Sequence, residues 1–140
     1  MADYQIVDAH AHIFRSPEIA QRALTIAPVH TTYKGLMEDL PKAMEKGGAS
    51  KMVLVSPLTL EDMRQSALAK LPAGQTPQQR ADAEKEIYQT LLGRLQRHNE
   101  WLCSLHKENP KAYGFISMDP LVDADTTRKE IKACAKQGGS

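Results

Sequence analysis

Three short apolar runs, separated by stretches with helical periodicity, set the strongest limit on how this chain can fold. The runs are Gln5–His10, Ser50–Ser56 and Ala112–Met118. The second run, SKMVLVS, is compact and β-branched, which is typical of a strand buried in a parallel sheet. Strand, helix, strand, helices, strand, helix is the order of consecutive right-handed βαβ units. The sequence therefore predicts an α/β fold with a parallel sheet.

Capping residues and prolines mark the boundaries of the helices between these runs. Ser16 followed by Pro17 predicts the start of a first helix, which we expect to lie over the ends of the strands. Thr76, with a proline next to it and a glutamine at the third helical position, predicts the start of a long apolar stripe. This stripe indicates either one helix or two helices bent near Gly93 or Asn99.

A proline interrupts the helical pattern that precedes the second run. Apolar residues after position 33 repeat at helical spacing, but Pro41 would remove a backbone hydrogen bond and clash with the preceding turn. We therefore expect a break near Leu40, with Asp39 capping the segment that follows. Gly47-Gly48 then predicts the end of the helix.

The first run carries the residues with the clearest chemistry. It reads QIVDAHAHIF, so Asp8, His10 and His12 alternate, and alternate residues of an extended strand project from one face. Two imidazoles on one face can bind one metal ion, and a carboxylate behind them can orient them. A His-x-His pair alone is a weak signal. This pair, however, stands at the carboxyl end of a predicted strand, where ligands gather in parallel α/β proteins.

The other histidines are expected to have structural roles. His30 is interpreted as an exposed or hydrogen-bonded loop residue, and His98 as a half-buried, hydrogen-bonded residue on the apolar side of the long helix. His106 is expected near the carboxyl end of that helix, where a partial positive charge is favourable. Asp119, which precedes a proline, is expected to form a turn or a cap.

Composition argues against several classes of partner. The chain has 140 residues, a net charge of +1 and few clusters of basic residues, so we expect no nucleic acid and no anionic membrane as partner. No apolar run approaches the ~20 residues of a membrane span, and the first residues do not form a secretory leader. A cytoplasmic location is therefore expected. Cys103 and Cys134 are expected to be reduced and buried as small hydrophobic residues.

The opening IVDAHAH strand resembles that of the metal-dependent amidohydrolase superfamily, in the branch that combines hydrolases with decarboxylases of the aminocarboxymuconate-semialdehyde type. Further matches are Lys51–Pro57, Asn99–Pro110 and Ala112–Pro120. The resemblance implies a TIM-type (β/α)8 barrel, which needs about 250 residues. Residues 1–140 would then form a single partial barrel domain of about three βα units, truncated before the fourth strand.

The resemblance also implies a cofactor and a reaction. It implies a divalent metal, most commonly zinc and in some members manganese. The ligands would be His10 and His12, together with a histidine and an aspartate from strands beyond Ser140. The implied activity is hydrolysis of an amide or lactone by a metal-activated water, and the alternative is decarboxylation of a small aromatic or enol carboxylate. The sequence does not identify the catalytic residues.

The segment by itself is expected to be an inactive or incomplete form of such an enzyme. Two unpaired sheet edges and exposed apolar surface would favour self-association into a homo-oligomer. Two other interpretations stay open. One is a complete small α/β domain that binds a ligand without catalysis. The other is a flavodoxin-like fold with an anion site, which would need a glycine loop after the first strand, where Ala11–Phe14 offers none.

Overall fold

A three-stranded parallel sheet organises the computed structural model, which describes residues 5–26 and 32–137. Its strands are β1 (Val7–His12), β2 (Lys51–Val55) and β3 (Ala112–Phe115), in the spatial order β1-β2-β3 with both pairs parallel. The helices are α1 (Pro17–Ile26), α2 (Leu40–Gly47), α3 (Leu60–Leu68), α4 (Pro77–Glu108) and α5 (Ala124–Lys136). The predicted α/β class and parallel sheet are confirmed. None of the described helices is long and apolar enough to cross a membrane.

The first and third strands end at different residues from those predicted. β1 extends to His12, and the backbone N–H of Ile13 still donates to the carbonyl of Val55 at 3.0 Å. β3 ends at Phe115 rather than at Met118. A side chain ends the regular pairing there, because the N–H of Ser117 donates to the amide oxygen of Asn99 at 2.8 Å.

The helix α4 is a single helix of 32 residues. The predicted capping box forms at its start: the N–H of Gln79 donates to Thr76 Oγ1 at 3.2 Å, and the N–H of Thr76 donates to Gln79 Oε1 at 2.9 Å. Asn99 lies within the helix without interrupting it, because its amide is bound to groups on other elements rather than to its own backbone. Of the two predicted alternatives, the single helix is confirmed.

The predicted break before Pro41 is also present. A short 3-10 helix, Met37–Asp39, precedes α2, so the proline falls in the first turn of α2, where its missing N–H leaves no bond unmade. Gly48 ends α2 with a φ of 65°. Asp39 is at the N-cap as expected, but its carboxylate does not cap the helix. It accepts from the N–H groups of Lys34 and Leu36 in the preceding loop.

The main core lies between one face of the sheet and the helices α2 and α4. It is made of buried apolar side chains from both layers: Ile13, Leu40, Met44, Met52, Leu54, Leu102, Leu105 and Ala112. A second cluster, Leu60, Leu91 and Leu95, joins α3 to α4. The other face of the sheet is less covered, since Val7 and Phe115 are about half exposed.

The sheet and the helix layer approach each other closely at Gly114 in β3. A Cβ atom added there would overlap the main-chain carbonyl of Leu102 in α4. The helix and the strand therefore pack backbone against backbone at this point, and only glycine leaves enough room.

We expect Gly114→Ala to lower the free energy of unfolding by at least about 3 kcal/mol, because neither backbone can move without disturbing the core. Gly93→Ala is the matched control, since a Cβ atom there meets only the flexible end of Arg97. It should raise the stability by about 0.5–1 kcal/mol through helix propensity. Urea denaturation of both variants checks this, and equal stabilities would contradict the account of the packing.

Candidate metal centre

The two histidines of β1 lie side by side at its carboxyl end. Their Nε2 atoms are 3.2 Å apart, the ring centroids are separated by 5.0 Å, and the ring planes are inclined by 61°. Both side chains are exposed. The alternation of His10 and His12 in the sequence thus brings two nitrogen donors together on one face, as predicted.

Asp8 does not join this pair, and the prediction that it projects with them is wrong. The register sets Asp8 beside Met52 and Ala11 beside Leu54, so β1 has one residue more than β2 over this interval. Met52 and Leu54 face the helices, whereas the histidines project from the other face of the sheet. Oδ1 of Asp8 instead accepts from the N–H of His10 at 3.0 Å, a local bond that aspartate forms readily.

A cavity of about 660 Å³ opens at the carboxyl ends of β1 and β2 and includes His12 in its wall. The helix α1 contributes Leu24 to the wall, which confirms that this helix lies over the strand ends. Polar groups come from the segments that follow the strands, among them Lys34, Thr59 and Asp62. From the sequence, Thr59 and Asp62 are predicted only to form a capping box at the start of α3, where Thr59 in fact makes no side-chain capping bond, and Lys34 is not a predicted site residue.

The loop that carries Lys34 is fixed to the end of β1 by Gly35. The φ of Gly35 is 73°, and its carbonyl accepts from the N–H of Phe14 at 2.7 Å. A Cβ atom at this position would stand 2.9 Å from the carbonyl oxygen of His12 and 3.1 Å from the ring of Phe14. Both the backbone angle and the close approach therefore require glycine. In the sequence, the glycine at position 35 is the one indication that this connector turns sharply against the end of β1.

His98 has the structural role that was predicted for it. Its Nε2 lies 2.9 Å from the carbonyl oxygen of Ser56, just beyond β2, so the protonated nitrogen donates this bond. Burial lowers the pKa of His98. The hydrogen bond to Ser56 opposes this effect, and the nearby charge of Arg15 adds to it. The ring, tilted against that of Trp101, therefore ties α4 to the end of β2 in its neutral form.

The remaining predicted residues also have structural roles where they are described. His106 is in the last turn of α4, and its Nδ1 lies 3.0 Å from the carbonyl oxygen of Ala112. Oδ1 of Asp119 accepts from the N–H of Leu121 at 2.8 Å, which confirms the predicted turn. His30 lies outside the described residues.

The described part of the chain brings two imidazole nitrogens together and no larger group of potential metal ligands. Over residues 5–26 and 32–137, no group of three or more histidine, cysteine or acidic side chains is placed to hold one ion. Structural and catalytic zinc sites use three or four protein ligands. The two imidazoles are therefore fewer ligands than such a site uses.

Comparison of the chain with protein-family models, with curated proteins and with solved structures found no match. The likeness to the amidohydrolase superfamily therefore stays a prediction from the sequence, and any assignment depends on the geometry of the histidine pair.

The requirement for glycine at position 35 can be tested against a matched glycine. Gly35→Ala should lower the free energy of unfolding by about 2 kcal/mol or more, since it adds a steric clash to an unfavourable φ. Gly74 has a φ of 81° but open space around it, so Gly74→Ala should cost only about 1 kcal/mol. Urea denaturation measures both, and equal losses would show that the approach to His12 is not tight.

The lowered pKa of His98 predicts how the stability depends on pH. In the unfolded chain this ring titrates near 6.5, about half a pH unit below neutrality. The folded state favours the neutral ring of His98. The contribution of this ring to the free energy of unfolding is therefore complete above pH 6.5, and it is lost as the pH falls from 6.5 through the lower pKa of the folded state. The stability of the protein should therefore fall more steeply from about pH 7.5 to about pH 5 than that of His98→Gln. If the stability of the unaltered protein and that of His98→Gln fall equally steeply with pH, His98 does not act as a neutral, buried hydrogen-bond donor.

Proposed function

We propose that the chain is the N-terminal part of a metal-dependent hydrolase of the amidohydrolase superfamily, in which His10 and His12 bind one divalent ion. The observation that carries the proposal is the 3.2 Å between their Nε2 atoms. Two nitrogens bound to one tetrahedral zinc ion at about 2.0–2.1 Å stand roughly 3.3–3.4 Å apart. The two rings would need to move by only one or two tenths of an ångström to hold such an ion.

A hydrogen bond between the two rings has the same length and is the competing explanation of the distance. In that arrangement one Nε2 carries a proton and the other accepts it. A metal ion binds only when both Nε2 atoms are deprotonated, so it would replace the shared proton. The two explanations therefore differ in their response to added metal.

The arrangement of the sheet supports the assignment to a (β/α)8 barrel. The strands follow one another in space as they do in sequence, β1-β2-β3, whereas a flavodoxin-like sheet places its first strand between the second and third. The core helices α2 and α4 pack on one face. The histidines project from the other face, which carries the half-exposed Val7 and Phe115 and would line the interior of a barrel. Self-association through this face stays a prediction, which size-exclusion chromatography can test.

The cavity beside His12 supports a small-molecule substrate. A divalent ion bound there would act as a Lewis acid and lower the pKa of water for attack on an amide or lactone. Leu24 and Phe14 would exclude bulk water from one side of the substrate, while Thr59 and Asp62 would orient its polar groups. The additional ligands and the general base would come from later strands of the barrel.

Lys34 favours a second candidate function. Its position in the cavity wall, on the loop fixed to the end of β1, would let its ammonium group bind a substrate carboxylate. A metal-dependent decarboxylase of a small aromatic or enol carboxylate would need such a contact. Retention of metal binding with loss of carboxylate binding in Lys34→Gln would favour this candidate over amide or lactone hydrolysis.

Zinc titration of the chain tests the proposal. We expect His10→Ala and His12→Ala each to weaken zinc binding by about tenfold or more, because each removes one of two nitrogen donors. His106→Gln, which changes a histidine remote from the pair, is the control and should bind like the unaltered chain. Calorimetry or competition with a chromophoric chelator gives the affinities. Unchanged affinity in both alanine variants would exclude the proposed centre and leave a non-enzymatic binding domain as the better account.

A further inference from the structure

A pair of buried cysteines lies where α4 and α5 pack together. Cys103 is 1% exposed and Cys134 is 3% exposed, and each thiol is among the groups that shift the pKa of the other. Both cysteines are reduced. The helix α4 leads into β3 and α5 follows it, so the two helices run side by side in the same direction, as in consecutive βα units.

A hydrogen bond between α4 and α5, one helical turn before the two cysteines, sets how the two helices are aligned. The amide Nδ2 of Asn99 on α4 donates to Oε1 of Glu130 on α5 at 3.2 Å. Cys103 follows Asn99 by four positions, and Cys134 follows Glu130 by four, so each cysteine lies one turn further on the same helical face. The thiol of Cys134 also donates to the same oxygen of Glu130, at 3.9 Å.

Asn99 is itself held rigidly, which fixes the relative position of the two helices. It is fully buried, and its amide bonds to both the N–H and the carbonyl of Ser117, at 2.8 and 3.0 Å. The alignment of the two cysteines is therefore a property of the packed core and does not depend on an exposed loop.

We propose that Cys103 and Cys134 form a redox-sensitive pair that closes to an intramolecular disulfide and joins α5 covalently to α4. The oxidant is a low-molecular-weight disulfide such as oxidised glutathione. One cysteine thiolate attacks it, forms a mixed disulfide and releases one glutathione thiol. The second thiolate attacks the protein sulfur of that mixed disulfide and releases the other glutathione. Two electrons pass to the reagent, and the two protons from the protein thiols end on the released glutathione.

The environment of the pair makes this reaction slow and dependent on local opening. Burial raises the pKa of Cys103, and it raises the pKa of Cys134 to about 12, with the neighbouring thiol as the next cause. The closed state therefore holds little reactive thiolate. Cys134, however, lies in the last turn of α5, which ends at Lys136, and helix ends open far more often than the whole protein unfolds. Opening of this turn exposes Cys134 to the oxidant first, and reclosure brings it back to Cys103.

The test is to incubate the reduced full chain with oxidised glutathione at mildly alkaline pH, with and without urea below the unfolding transition. Intact mass should show the loss of two hydrogen atoms without bound glutathione, and peptide mapping should link Cys103 to Cys134. Urea should accelerate the reaction because it favours opening of α5. The oxidised chain should unfold at a temperature higher by about 5 °C or more.

Two variants serve as controls. Cys103→Ser should stop at the mixed disulfide on Cys134. The double variant Cys103→Ser, Ser104→Cys keeps two cysteines but moves one thiol around α4, and should form no internal disulfide. Three results would overturn the proposal. They are a wild-type chain that stays reduced in both conditions, one that carries glutathione on both cysteines, and a double variant that cross-links as fast as the wild type.

Discussion

The close packing of α4 against β3 is the interaction on which the rest of the structure depends. At Gly114 the backbone of the strand packs directly against the backbone of Leu102 in the helix, and the side chains of Leu102 and Leu105 are fully buried. Because α4 is one continuous helix, its position also fixes α3 through the cluster around Leu95 and α5 through Asn99. A shift of this helix would therefore displace every layer of the fold.

Two adjacent polar residues of α4 connect this helix by hydrogen bonds to the backbone just beyond the carboxyl ends of β2 and β3. His98 binds the carbonyl of Ser56 beyond β2, and Asn99 binds the backbone of Ser117 beyond β3. Buried polar groups are costly when they are unpaired, so bonds of this kind specify one arrangement of the strand ends. Gly35 does the same for β1 by holding its loop against His12. The carboxyl ends of all three strands, where the histidine pair lies, are thus fixed by contacts with α4 and with the loop of Gly35.

Much of this could be predicted from the sequence, because local signals set it. Periodicity and caps located the helices, and the break before Pro41 follows from the covalent geometry of proline. What the sequence could not show depends on contacts between distant residues. The irregular register that separates Asp8 from the histidines arises from pairing with β2, and β3 is shortened by a side chain from α4. The polar wall of the cavity comes from three separate segments, and no single stretch of sequence reveals that they meet.

The central functional claim is that two neighbouring imidazoles share one divalent ion, and histidine-ring nitrogen NMR during a zinc titration tests it most directly. The account predicts that the Nε2 resonances of His10 and His12 shift together and saturate at one ion per chain. The rings of His98 and His106, whose nitrogens are bound to backbone carbonyls, should not respond. A shift of only one of the two rings, or of neither, would contradict this claim and leave the 3.2 Å contact as a hydrogen bond between the two rings.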